Sequence, residues 1–176
     1  MVEPGMRDKW LSGDDAALLS DCAVDAYRSG GPGGQHRNKT STAVRLRHHP
    51  TGLMVIAEDS RSQHENKLRA IRRLRMAIAI GCRDAVEEGW RPSEAFRNAC
   101  TSAGRIEISR RNPSYPLIIA TVLDAVEARG GRLREAGELL GLTTAQLSRF
   151  LTSDGKVLDA ANRMRRAAGL RPLVVS

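Results

Sequence analysis

Apolar and polar residues follow two different rhythms in this chain, alternating over short runs in the first half and recurring every three or four positions in the second. The first rhythm is that of strands and the second that of helices. Thr42 to His48 alternates best, with Val44 and Leu46 on one face and Arg45 and Arg47 on the other. It reads as a half-buried strand with a basic outer face. Cys22 to Tyr27 alternates more loosely and reads as a preceding strand, and Leu53 to Ala57 as a return strand after the turn Pro50-Thr51-Gly52. Residues 1 to 13, broken by Pro4, Gly5 and Gly13, read as a ragged start whose Trp10 and Leu11 have something to dock. Asp14 to Leu19 suits a short helical turn. A longer helix begins near Ser62, where Ser62 and Glu65 fit a capping box. Leu68, Ile71, Leu74 and Ile78 form its apolar stripe, Arg69, Arg72, Arg73 and Arg75 fall mostly away from it, and either Gly81 ends it or Arg83 to Glu88 continue it.

Residues 89 to 113 are poorly patterned, with breaks at Gly89, Pro92, Gly104 and Pro113. A short helix over Ser93 to Cys100 and an extended piece over Arg105 to Ser109 are the expectations there. From Ser114 the helical rhythm returns. Leu117, Ile118, Thr121, Val122, Ala125 and Val126 suit one helix closed by Gly130-Gly131, and Leu133 to Leu140 a second that Gly141 turns. A third is capped by Thr143 or Thr144, with Leu147, Phe150 and Leu151 inward. A fourth runs from about Lys156 to Ala168 with Val157, Leu158, Ala161 and Met164 inward. The spacing from Ala136 through Gly141-Leu142 to Leu147 resembles a helix-turn-helix. Thr144, Gln146, Ser148 and Arg149 bring a single positive charge to its second helix. That is little for operator DNA, so a packing or docking module and an RNA contact stand ahead of it.

Charge changes the picture more than composition does. The 176 residues carry a net +8, with 41% hydrophobic and 27% charged residues. Between Arg28 and Arg83 there are 12 Lys or Arg against 3 Asp or Glu, while the rest of the chain nearly balances. A polyanionic backbone is the natural partner of that segment. Three scattered cysteines, Cys22, Cys82 and Cys100, without CxxC spacing argue against disulfides and a cysteine zinc site, and a reducing cytoplasm is the expected compartment. No apolar run is long enough to span a membrane, and aromatics at 3% disfavour a base-stacking platform.

Inside the basic segment lies Gly30-Gly31-Pro32-Gly33-Gly34-Gln35-His36-Arg37-Asn38-Lys39. Such a run offers nothing apolar to a core. It is either a surface turn between strands or a loop that carries one amide to a reacting centre. No Walker A register, HExxH pair or nucleophile elbow accompanies it, so neither a metal nor another cofactor is implied. The run, together with Asn38-Lys39-Thr40, Ala43-Val44-Arg45-Leu46, His49-Pro50-Thr51-Gly52-Leu53 and Arg61-Ser62-Gln63-His64-Glu65-Asn66-Lys67, resembles the catalytic domain of class I peptide chain release factors over about residues 14 to 80.

The expected fold is α+β: the resemblance implies a small sheet with a packed helix carrying the Gly-Gly-Gln loop, and the patterning adds a small all-helical unit resembling a helix-turn-helix. The domain division is a release-factor-like hydrolase domain over 14–88, which the resemblance implies, with a linker over 89–113 and the helical unit over 114–171 read from the patterning. The resemblance implies hydrolysis of the peptidyl-tRNA ester on the ribosome, with Gly33, Gly34 and Gln35 catalytic, the Gln35 main-chain N–H stabilising the transition state and its side chain positioning water. Partners would be the peptidyl transferase centre of the large subunit, peptidyl-tRNA and ribosomal RNA, met by a monomer without a membrane. Arg28, His36, Arg37, Asn38, Lys39, Arg45, Arg47, Arg61, Arg69, Arg72 and Arg73 are the candidate RNA contacts, and Pro32, Ser62 and Gln63 support the loop. Neither a codon-reading domain nor a long helical arm has room upstream, so a stand-alone protein similar to codon-independent ribosome-rescue hydrolases is expected. Those carry a basic C-terminal tail where this chain has a helical pattern. The alternative is a non-catalytic ribosome- or RNA-binding protein that retains the fold.

Overall fold

The alternation at Thr42 to His48 does build a strand. In the computed structural model, which describes residues 5–27 and 42–175, β1 (Cys22–Tyr27), β2 (Ala43–His48) and β3 (Met54–Ala57) form an antiparallel sheet in the order β1-β2-β3. Val24 pairs with Leu46 and Leu46 with Val55, while Asp25 pairs with Arg45 and Arg45 with Ile56. Because side chains alternate across a strand, Val44, Leu46 and Ala57 are buried together and Arg45, Arg47, Met54 and Ile56 share the exposed face. The chain divides into two compact units, Met1–Ile78 and Ala79–Ser176.

In the first unit the start of the chain is more regular than its punctuation suggests. Met6–Ser12 is a helix, α1, followed by α2 (Asp15–Ser20), which Asp14 caps by accepting from the Ala17 N–H at 2.6 Å. Trp10, Leu11 and Leu18 are buried. The Trp10 indole donates to Asp21 at 2.8 Å and meets the buried His48 ring edge-on, centroids 4.4 Å apart. Arg75 fastens the same region, donating to the carbonyls of Trp10 and Gly13 at 3.2 and 2.6 Å and pairing with Asp15 at 2.8 Å. The pieces that Pro4, Gly5 and Gly13 seemed to scatter are thus latched by one indole and one guanidinium.

The long helix α3 spans Gln63–Gly81. Its buried side is Asn66, Ala70, Ile71, Leu74 and Ile78, and Leu68 is exposed, contrary to expectation. At about 100° per residue Leu68 lies well around the cylinder from the line joining 70, 74 and 78, whereas Asn66 falls on it. A polar residue occupies the position the stripe would give to an apolar one. The capping box also forms only in half. Ser62 Oγ accepts from the Glu65 N–H at 3.3 Å, but the Glu65 carboxylate accepts from the Ser60 hydroxyl at 2.6 Å, and it is Ser60 Oγ that receives the Ser62 N–H.

The second unit is helical: α4 (Glu94–Ala99), α5 (Tyr115–Ala128), α6 (Leu133–Leu140), α7 (Thr144–Thr152) and α8 (Gly155–Ala167). Every residue of α5 from Tyr115 to Val126 is buried, against α4, α6 and α8, so the helix is a central post rather than an amphipathic one. Each large side chain it buries stabilises the unit by roughly 1.5–3 kcal/mol. Its buried Asp124 is met by Arg83 at 2.8 Å. Gly131, at φ 75°, returns its N–H to the Val126 carbonyl at 2.8 Å and ends α5. Thr143 caps α7 in a full capping box with Gln146. Leu147 and Leu151 are buried as expected, but Phe150, Leu158 and Met164 are only half-buried at the rim of the unit.

Candidate functional site

The catalytic candidates Gly33, Gly34 and Gln35, with Arg28, Pro32, His36, Arg37, Asn38 and Lys39, lie outside the described residues. The frame around them is described. Tyr27 pairs with Ala43, so the segment between them leaves β1 and enters β2 at adjacent positions of one ladder. Asn66 holds the far side, its Nδ2 donating to the Thr42 carbonyl at 2.7 Å.

The arginines named above are not equivalent. Arg73 splits its fork: Nη2 donates to both oxygens of the Asp59 carboxylate, at 2.8 and 2.9 Å, and Nη1 donates to the Ile56 carbonyl of β3. The hydrogen bond from Arg73 holds the Asp59 carboxyl below its ordinary range. Arg69 reaches Asp59 at 4.0 Å and Glu65 at 3.7 Å. Arg45 pairs with Asp25 across the ladder at 3.0 Å. Arg47, Arg61 and Arg72 are exposed and have no hydrogen-bond or ion-pair partner among the described residues. Exposed pairs of this kind are individually weak, so the paired arginines remain able to exchange partners.

Ser62 sits at the first turn of α3 within the Ser60–Glu65 hydrogen bonds, and Gln63 is the exposed first residue of the helix. Three residues that matter to this frame had no role in the sequence reading: Asn66, Asp25 and Asp59. Asp59 carried a signal, since acids are scarce between Arg28 and Arg83, and Asp25 carried one as an acid on a strand that pairs with the basic face of β2. Asn66 carried one too, as a polar residue on the buried line of a helix.

His48 and His49 part company at the end of β2, whose last residue is His48. His49 is exposed; His48 is fully buried, its Nδ1 2.8 Å from Thr51 Oγ1. Burial lowers the His48 pKa, against a smaller opposing pull from Asp21. Its Nε2 has no hydrogen-bond partner among the described residues. A neutral ring packed against Trp10 is a core residue, remote in character from a general base. Among the described residues no cluster of three His, Cys, Asp or Glu is placed to hold a metal ion, and no helix is long and apolar enough to cross a membrane.

Against known proteins, residues 18–115 match the RF-1 domain. The chain is 34% identical to "Peptide chain release factor 1" of Variovorax paradoxus over 155 residues, which are 88% of this chain and 38% of that protein. It is 40% identical to the protein of the same name from Chlamydia trachomatis over 117 residues, 66% of this chain and 30% of that one. With "Peptide chain release factor 1" of Levilactobacillus brevis it shares 32% over 154 residues, 87% of this chain and 38% of the relative. The chain thus spans less than two fifths of the length of these curated relatives. More than half of it lies within the matched domain, and it belongs to the RF-1 domain family.

Proposed function

We propose that this member of the RF-1 domain family hydrolyses the ester between nascent peptide and tRNA on the ribosome. The observation that carries this reading is an intact Gly33-Gly34-Gln35 inside the matched residues 18–115. A protein that only bound RNA would have no need of it.

In the reaction, a water oxygen bonds to the ester carbonyl carbon, charge collects on the carbonyl oxygen, and the bond to the tRNA ribose oxygen breaks as the proton given up by the water passes to that oxygen. The Gln35 main-chain N–H is the donor for the developing oxyanion, and one such preorganised donor is worth roughly 3–4 kcal/mol. Its side-chain amide does not take up a proton near neutral pH, so it orients the water rather than deprotonating it. Gly33 and Gly34 give the backbone the freedom to present that N–H.

RNA is held by Arg28, His36, Arg37, Asn38 and Lys39 around the tripeptide and by Arg45, Arg47, Arg61 and Arg72 beyond it. Arg69 and Arg73 join only by leaving Asp59. Pro32, Ser62 and Gln63 support the loop. The working division is a hydrolase domain over 14–88, a connection over 89–113 and a helix-turn-helix-like unit over 114–171 that packs or docks. Commitment of Gln146 to its cap and to the Ala103 carbonyl, at 2.7 Å, supports packing over base reading. A monomer acting in the cytoplasm, on ribosomes stalled without a stop codon, completes the proposal.

The test is peptide release from purified ribosomes programmed with a stop codon, a sense codon or no codon in the A site. Wild type is expected to free peptide without a stop codon, and Gln35→Ala to lose part of that rate while admitting nucleophiles other than water. A wild-type protein that binds ribosomes and frees nothing in any of the three states would establish the non-catalytic binding alternative instead.

A further inference from the structure

Among the described residues of the first unit, Asn66 stands apart as a fully buried side-chain amide whose every group is committed to backbone. One Nδ2 hydrogen goes to the Thr42 carbonyl at 2.7 Å and the other to the Ser60 carbonyl at 2.8 Å, while Oδ1 accepts the Ser60 N–H at 2.9 Å. Two acceptors on one side and a donor on the other fix the orientation of the amide, since a flipped group would set an oxygen against two carbonyls.

The carbonyl it holds is informative. Ala43 is the first residue of β2 and pairs with Tyr27, the last of β1. Thr42 lies just beyond the last described pair of that ladder, and a backbone carbonyl there needs a hydrogen-bond donor. Asn66 reaches it from α3 across 24 positions of sequence. The ladder alone would let this end fray. With Asn66 in place, the backbone entering β2 is tied to α3 and to the β3–α3 connection at once. The position belongs to the helix's buried line with Ala70, Ile71, Leu74 and Ile78, where an apolar residue would serve packing equally well.

We infer that Asn66 is a positioning residue for the Gly33-Gly34-Gln35 segment, setting where the chain re-enters the sheet seven residues after Gln35. This rests on the hydrolase reading above. Asn66 touches neither water nor ester; it acts through the Thr42 backbone. A reacting group displaced by about 1 Å loses on the order of a hundredfold in rate, so a slack re-entry point lowers turnover without loosening ribosome binding.

The experiment uses the full chain with Asn66→Asp, which keeps the size and the acceptor but loses both N–H donors, and Ser60→Ala, which removes the hydroxyl bonds to Glu65 and Ser62 while leaving the clamp on Thr42. Two readouts are taken: amide hydrogen exchange along β2 and α3, and single-turnover peptide release on ribosomes. For Asn66→Asp, exchange at Ala43 and Val44 is expected to quicken at least tenfold with Leu46 and Leu74 unchanged. Release at saturating protein should fall at least about tenfold, with half-saturation within about threefold of wild type. Ser60→Ala should match wild type in both. Should Asn66→Asp not fold, Asn66→Gln, which moves the same amide by one methylene, is expected to give the same pair of results. Unchanged exchange at Ala43, wild-type release from a folded variant, or equal quickening at Leu46 and Leu74 would each overturn the inference. An inactive wild type would instead overturn the hydrolase reading, and the exchange arm would still decide whether Asn66 is the anchor.

Discussion

The two units are held together by different kinds of contact. In the second, the buried carboxylate Asp124 is met by Arg83 within the unit, and surface arginines such as Arg132 and Arg134 pair with Glu135 and Glu138 on their own helix. A fully buried α5 supplies the cohesion. In the first, the sheet is thin and polar latches join its elements: Asn66 to Thr42, Arg75 to the α1–α2 region, Trp10 to Asp21. The 3 acids between Arg28 and Arg83 do not neutralise the 12 Lys or Arg of that segment. Asp59 and Asp25 aim particular arginines, and Arg47, Arg61 and Arg72 are left without partners among the described residues. Cations left unneutralised on a fold held by polar latches suit a unit that spends its charge on an external polyanion.

That contrast can be broken first where the expected effect is largest. Asp124→Ala leaves the Arg83 guanidinium in a buried place without its carboxylate, and stability should fall by about 3–5 kcal/mol. Urea unfolding followed by circular dichroism reads it. A loss under about 1 kcal/mol, the size of a surface pair, would erase the distinction between the units.

Arg47→Ala and Arg72→Ala should leave stability within about 0.5 kcal/mol of wild type, as surface changes do. Each should flatten the dependence of log ribosome affinity on log salt by roughly 0.7–1 if the side chain meets a phosphate. Arg69→Ala, whose cation already has Asp59 and Glu65, should flatten it less. Equal slopes for all three would show that intramolecular pairing does not sort these arginines.

The smallest effect lies at His48. Because burial lowers its pKa, the unfolded chain binds a proton there that the folded one resists. Its contribution to stability is therefore complete above the ordinary histidine value near about 6.5 and is lost as pH falls from there toward the folded value, at a limiting slope of about 1.4 kcal/mol per pH unit. His48→Gln should flatten this part of a Tm-versus-pH curve. An unchanged curve would locate the acid sensitivity elsewhere.

The strands were legible because the burial of one face imposes a period of two, and Arg45 and Arg47 against Val44 and Leu46 display it without ambiguity. The helices of the second unit were legible from their stripes and from Gly131, Gly141 and Thr143 at their ends. What escaped was set by tertiary partners. Helix α1 is short and flanked by Pro4, Gly5 and Gly13, and the Trp10 and Arg75 contacts that hold it come from elsewhere in the unit. Leucine's apolarity alone places Leu68 inward, whereas its angular position on α3 points it out and Asn66 in. The role of Asn66 depends on where the Thr42 carbonyl lies, which no local pattern encodes. In the candidate site, the tripeptide was legible as a motif, but the division of arginines into paired and unpaired needed Asp25 and Asp59 in place.

The most direct measurement is the single-turnover rate of peptide release at saturating protein for wild type and Gly34→Ala on the same stalled ribosomes, with ribosome binding measured alongside. A Cβ next to Gln35 should displace its main-chain donor and cut the rate by roughly a hundredfold or more, while binding stays near wild type. Equal release rates for the two proteins would contradict the claim that a backbone N–H at Gln35 carries the chemistry.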